Sequence, residues 1–116
     1  MTKKRAERLT GYEIRRLENA GGKVTFAAFS GEEMIAEATH RIEELALDIL
    51  VREVYKLHSI EVLKQHNWRC ARCRSGRRLQ VHHRRYRSHG GTHQVENLEP
   101  VCADCHKVIH RLERSR

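Results

Sequence analysis

Cys70-Ala71-Arg72-Cys73 and Cys102-Ala103-Asp104-Cys105, with the 28 residues RSGRRLQVHHRRYRSHGGTHQVENLEPV between them, decide how this chain folds. Two residues between cysteines let a tight knuckle aim both sulfurs at one ion. Two such knuckles complete a closed tetrahedral site of four sulfurs, a structural arrangement for zinc. Rival uses of the cysteines fit poorly. Cys102-Ala103-Asp104-Cys105-His106 also spells a c-type haem attachment, but that leaves the first pair without a role and requires export. A redox dithiol calls for a βαβ context that is missing. A finger built from Cys70, Cys73, His106 and His110 needs roughly twelve to fifteen residues between its pairs, and 32 separate Cys73 from His106.

Inside the frame, Leu79-Gln80-Val81-His82-His83 alternates like a strand, which sends His82 and His83 to opposite sides. A polar, glycine-containing loop follows from Arg84 to Val95. Asn97-Leu98-Glu99-Pro100-Val101 reads as the return strand, and a helix starts near Asp104. On that helix His106 and His110, four apart, share one face. Imidazoles at this spacing can grip one metal ion, and a third histidine from the strand would complete an open three-ligand site that leaves room for water and a phosphate oxygen.

Charge is distributed unevenly around this segment. Residues 1–66 hold 11 Lys/Arg against 11 Asp/Glu, whereas residues 67–116 hold 12 against 4, so the whole formal +8 lies in the last fifty residues. Arginine dominates there, which suits bidentate contacts to phosphate. No stretch approaches the roughly 18 consecutive apolar residues of a membrane span. The basic start, Met1-Thr2-Lys3-Lys4-Arg5, is not followed by the apolar core of a secretory signal. A reducing cytoplasm is the expected setting, one in which paired cysteines bind metal more often than they form disulfides.

Before residue 66 the chain shows no comparable chemistry. Thr10-Gly11-Tyr12-Glu13 has capping-box spacing and predicts a short helix ended by Gly21-Gly22. Residues 23–29 read as a short extended segment. Ser30-Gly31-Glu32-Glu33 is a second capping box, before an apolar stripe of Ile35, Ala38, Ile42, Leu45, Ile49 and Leu50, extended by Val54 and Leu57. Ile60 to His66 forms a further short helix. The stripe is expected to pack on the chain's own core rather than on a second copy. His40, His58 and His66 read as ordinary surface or boundary residues on helices, and His89 and His93 as loop residues that either touch a nucleic-acid backbone or sit on the surface. With 5% aromatic and 33% charged residues, the apolar core is small, and a metal is the expected supplement.

Val81-His82-His83, the Gly90-Gly91 loop, Glu96-Asn97-Leu98, then Cys102-x-x-Cys105-His106 and His110 resemble the HNH endonuclease family. The likeness spans residues 66–116 and includes Trp68-Arg69-Cys70. It implies an α+β chain: a ββα-metal nuclease module with a structural four-cysteine zinc site over 66–116, preceded by a mainly helical extension over 1–65. Variants with two CxxC pairs recur among phage, restriction and homing nucleases, which points to a bacterial or phage-infected cell. By position, the resemblance makes His83 the general base and Asn97 the brace that keeps its ring oriented. His82, His106 and His110 become ligands of one catalytic divalent metal, similar to the colicin-type nucleases. Many members carry aspartate where His82 stands. A histidine-rich site leans toward Mn, Ni, Co or Zn, a carboxylate site toward Mg.

On this reading His83 activates water against a phosphodiester of double-stranded DNA, and Arg84, Arg85, Arg87, Arg111 and Arg114 clamp phosphates. One such site cuts one strand. Cutting both calls for a homodimer, a larger complex joined through the N-terminal helices, or two encounters. A non-catalytic zinc module that binds nucleic acid would explain the cysteines and arginines but not the four histidines. A subunit of a phage packaging or restriction assembly is a further alternative. RNA is the weaker substrate, since the stacking aromatics of common RNA modules are missing.

Overall fold

The computed structural model describes residues 1–19 and 21–114. Helix α1, Lys3–Thr10, opens under Thr2, whose hydroxyl accepts from the Arg5 N–H at 3.1 Å. It closes at Gly11, whose φ of +79° lets its N–H reach the Glu7 carbonyl at 2.9 Å. Strands β1 (Glu13–Leu17), β2 (Val24–Ser30) and β3 (Glu33–His40) form an antiparallel meander with β2 in the middle. Helix α2, Glu43–Gln65, follows, then β4 (Leu79–His83), β5 (Leu98–Cys102) and α3 (Ala103–Arg114). Two short 3-10 turns, Arg87–His89 and Val95–Asn97, shape the loop between β4 and β5. No helix among the described residues is long and apolar enough to cross a membrane.

The region before the cysteines is helix and sheet together, which corrects the mainly helical expectation. Thr10 ends a helix where its spacing to Glu13 suggested a start: its hydroxyl donates to the Ala6 carbonyl at 2.8 Å, and the chain turns into β1. Ser30-Gly31-Glu32-Glu33 is a hairpin turn, not a helix cap. Gly31, at φ +62°, takes the left-handed conformation that a two-residue connection between twisted strands requires. Ile35 and Ala38 consequently lie on β3, and α2 begins only at Glu43. The expected extended segment over 23–29 is there as β2, and the stretch from Ile60 continues α2 without a break.

One face of this sheet packs Ile14, Val24, Phe26, Ala28 and Ala38 against Ala46, Leu47, Leu50, Val51 and Val54 of α2, with Ala6 and Leu9 of α1 closing the end. The alanines let helix and sheet approach closely. Two positions of the anticipated stripe, Ile42 and Leu45, face solvent at 54% and 40% exposure. The buried face of α2 runs instead through Ala46, Leu47, Leu50, Val51 and Val54, so that Leu50 and Val54 keep their expected place in the core.

Helix α2 serves both halves. Its first turns cover the meander, and its later turns lie against β4, β5 and the second 3-10 turn, where His58 and Val62 are buried. Strands β4 and β5 pair antiparallel, His82 opposite Glu99 and His83 opposite Leu98, and α3 folds back on them through Ile109. This C-terminal part is a ββα unit with little apolar interior: Cys70, Val101 and Cys102 form its buried centre, with Leu79, Cys105 and Ile109 half-buried around it.

Candidate functional site

The knuckle at Cys70–Cys73 and the β5–α3 junction at Cys102–Cys105 bring four sulfurs within 4.8 Å of one another. A tetrahedron of sulfurs at 2.3 Å from zinc has edges of about 3.8 Å, and the Cys73–Cys102 separation is 3.6 Å. Backbone N–H groups of Arg72 and Cys105 point at the Cys70 and Cys102 sulfurs, each at 3.4 Å. Burial pushes the Cys70 thiol up, but backbone donors outweigh it and bring the group down to about 6. Cys105 is pushed up to about 12 by hydrogen bonds to Cys102 and Cys73. The sulfurs thus bear on one another's ionisation, and a dication at the centre would favour all four as thiolates.

Strand alternation separates the two histidines of β4. The His82 ring is buried toward α3, with ring centroids 5.4 Å from His106 and 6.4 Å from His110. One helical turn apart, His106 and His110 face each other with their Nε2 atoms 3.0 Å apart, a separation that fits two adjacent ligands at metal–nitrogen distances of about 2.1 Å. Burial lowers the proton affinity of His82 and His106, and the neighbouring imidazoles add to the effect. Both rings therefore stand as neutral, ligand-competent imidazoles. The His82 nitrogen sits farther off than its partners: among the described residues only the four cysteines bring all their ligand atoms within 4.8 Å.

His83 turns the other way, onto α2. It stacks on Tyr55, nearly parallel at 9° and 5.4 Å between centroids, and its Nε2 lies 2.9 Å from His93 Nδ1. Burial, then the Arg87 charge, keeps His83 below the usual imidazole range, and burial with His83 alongside takes His93 down to about 4. Both rings are neutral near pH 7, the form that a general base requires. The Asn97 side chain hydrogen-bonds the loop after His83 rather than the His83 ring itself. Its Oδ1 accepts from the Arg85 N–H at 2.8 Å, and its Nδ2 donates to the Arg85 and Thr92 carbonyls at 3.0 and 2.7 Å. It thus ties both ends of the loop after His83. Gly91 is required at the same bend, because a Cβ there would collide with the Arg85 and Tyr86 carbonyls.

The expected phosphate-binding arginines occupy different settings. Arg84, Arg85 and Arg114 line an open cleft of about 510 Å³ together with Tyr86, His89, His110 and Glu113, so the cleft runs up to the histidine group. Arg87 is exposed near His83 and His93, and Arg111 lies on the exposed side of α3. Arg84 also leans toward Glu99, at 3.9 Å, and Arg85 Nε donates to the His89 carbonyl. Sequence reasoning missed several of these partners. Glu99 is a buried carboxylate that Arg72 pairs at 2.9 Å. Among the described residues the Tyr86 hydroxyl, closed off from solvent, meets no partner at hydrogen-bond geometry, and Glu113 beside it pushes its ionisation up. His93 is buried rather than a surface loop residue, and His40 lies on β3 rather than on a helix. An alternation test could not have found His93, which sits outside any regular element.

Residues 70–112 match the HNH endonuclease family. The chain therefore contains an HNH-family domain, with a four-cysteine cluster able to chelate a metal ion, on the ββα unit just described. Comparison with curated proteins and with solved structures gives no match.

Proposed function

We propose that the chain is a metal-dependent endonuclease that hydrolyses phosphodiester bonds of double-stranded DNA. The observation that carries this reading is the convergence of His82, His106 and His110 at the end of an arginine-lined cleft. Two of their nitrogens already stand at the spacing of ligands on one ion. The four cysteines would hold zinc as a closed structural site, and the three histidines would hold one divalent metal at an open one. That metal, when bound, supplies Lewis-acid charge to a phosphate oxygen and the leaving 3′ oxygen.

The chain's own residues do the rest. His83, neutral and unligated, takes a proton from the attacking water. Asn97 holds the loop that carries Arg85, and Arg84, Arg85 and Arg114 face the cleft where a phosphate backbone would lie. Their guanidinium groups read charge and position rather than base identity. One site of this kind cuts one strand, so double-strand cleavage would use a second copy or a partner.

A second reading is a zinc-stabilised nucleic-acid-binding module without catalysis, alone or within a larger assembly. It is favoured by the compactness of the cysteine cluster beside the looser histidine group. Nicking of supercoiled plasmid across Mg, Mn, Ni, Co and Zn separates the two. The expected outcome is metal-dependent nicking that chelator abolishes and that His83→Ala lowers by about 10²- to 10⁴-fold, with zinc content and fold retained. Tight DNA binding without cleavage under any of these metals would leave the binding module as the function.

A further inference from the structure

We propose that His93 is a positioning residue for His83, held in place by the N-terminal half of the chain. The proposal rests on the reading of His83 as general base.

His93 is fixed at three points. Its backbone N–H donates to the Leu9 carbonyl of α1 at 2.8 Å. Its carbonyl accepts from His58 Nδ1 of α2 at 2.7 Å. Because a carbonyl only accepts, His58 carries hydrogen on Nδ1, which leaves its Nε2 to take the Tyr12 hydroxyl at 2.7 Å. The His93 ring, 5% exposed, then packs against Tyr55 at 4.8 Å between centroids and meets His83 Nε2 through Nδ1. Leu9, Tyr12, Tyr55 and His58 all precede the cysteine frame.

The contact decides which nitrogen of His83 can act. With Nε2 engaged by His93, Nδ1 is the nitrogen left for water. It accepts a proton only if the ring's hydrogen sits on Nε2 and is donated to His93 Nδ1. In the opposite arrangement His93 would donate, and His83 Nδ1 would already be protonated. During attack the proton from water goes to His83 Nδ1, the Nε2–H bond to His93 is kept, and no proton crosses between the rings. By accepting this hydrogen bond His93 would orient the base and hold the tautomer that leaves Nδ1 free, while touching neither water nor phosphate.

The test is made on the full, zinc-loaded chain. Long-range ¹H–¹⁵N spectra of the imidazoles read the tautomer directly, without DNA or catalytic metal. Hydrogen on Nε2 of His83 in the wild type is the expected result. His93→Leu, which removes the acceptor, should mix the tautomers and lower kcat by about 10- to 100-fold with KM unchanged. His93→Asn, whose side chain can place an acceptor near the Nδ1 position, should restore both. Hydrogen on Nδ1 of His83 in the wild type, or a His93→Leu protein with wild-type kcat, would overturn the role of His93 alone. Cleavage by His83→Ala at the wild-type rate would overturn His83 as base, and the catalytic role of His93 with it.

Discussion

Residues 1–65 hold their shape with an apolar core of alanine, leucine, isoleucine, valine and phenylalanine between a meander and two helices. The ββα unit after them has Val101 and two cysteine side chains at its buried centre, with Leu79 and Ile109 half-buried beside them. The first half is neutral and the second carries the whole positive charge. A small unit crowded with arginine has little apolar surface to bury, and a metal at the four cysteines would supply cohesion without lengthening the chain. The basic region thus has at its centre a four-cysteine cluster where coordination could hold it together, and the neutral region is held by packing.

Zinc removal should break this comparison most sharply. Metal binding to a site of this kind is worth about 10 to 16 kcal/mol. Cys102→Ser or strong chelation should therefore release β4, β5 and α3, while the meander and the first turns of α2 stay protected in hydrogen exchange. Loss of protection across the whole chain at once would show that the halves are one cooperative unit. Leu50→Ala attacks the other side. Leu50 is fully buried between helix and sheet, and the cavity should cost about 2 to 5 kcal/mol in thermal or urea unfolding, with zinc affinity unchanged.

Acid should act more gently, and through the second half. An unfolded histidine titrates near 6.5, whereas folded His93 titrates at about 4. Between those values the unfolded chain binds a proton that the folded chain refuses, so stability falls as pH drops from about 6.5 toward 4 and is fully present above that window. The contribution is at most about 3 kcal/mol. His82, His83 and His106, lowered for the same reason of burial, act with the same sign. Melting temperatures of wild type and His93→Asn should lie closest near pH 7 and separate toward pH 4, with the wild type falling more steeply. Parallel curves would remove His93 from the account.

The C-terminal unit was legible in the sequence because its constraints are local. Two CxxC pairs, an alternating strand and an i, i+4 histidine pair each have a fixed geometry. The meander was not legible for the opposite reason. Thr10 to Glu13 and Ser30 to Glu33 carry capping-box spacing, yet Gly11 and Gly31 sit inside both, and their positive φ values turn the chain where a helix would have begun. Phe26 and Ala28 declare themselves as core only once β2 is flanked by β1 and β3. The group around His83 was hidden more deeply. Tyr12, Tyr55, His58 and His93 meet through contacts of up to 46 residues in separation, and no spacing rule reaches across an element boundary.

Helix α2 runs unbroken over 23 residues from the meander to the threshold of the first knuckle. At 1.5 Å per residue it is a strut of about 34 Å, anchored at one end in an apolar core and bearing Tyr55 and His58 toward the other. Residues 66–116 are therefore a poor cartridge. Transplanted onto another scaffold they would bring the cysteines and the arginines along, but His83 would arrive without the ring it stacks on, and His93 without the carbonyl and imidazole that seat it. Recombination that shuffles such modules between genes would have to carry the strut, and the end of α1 packed beside it, with them.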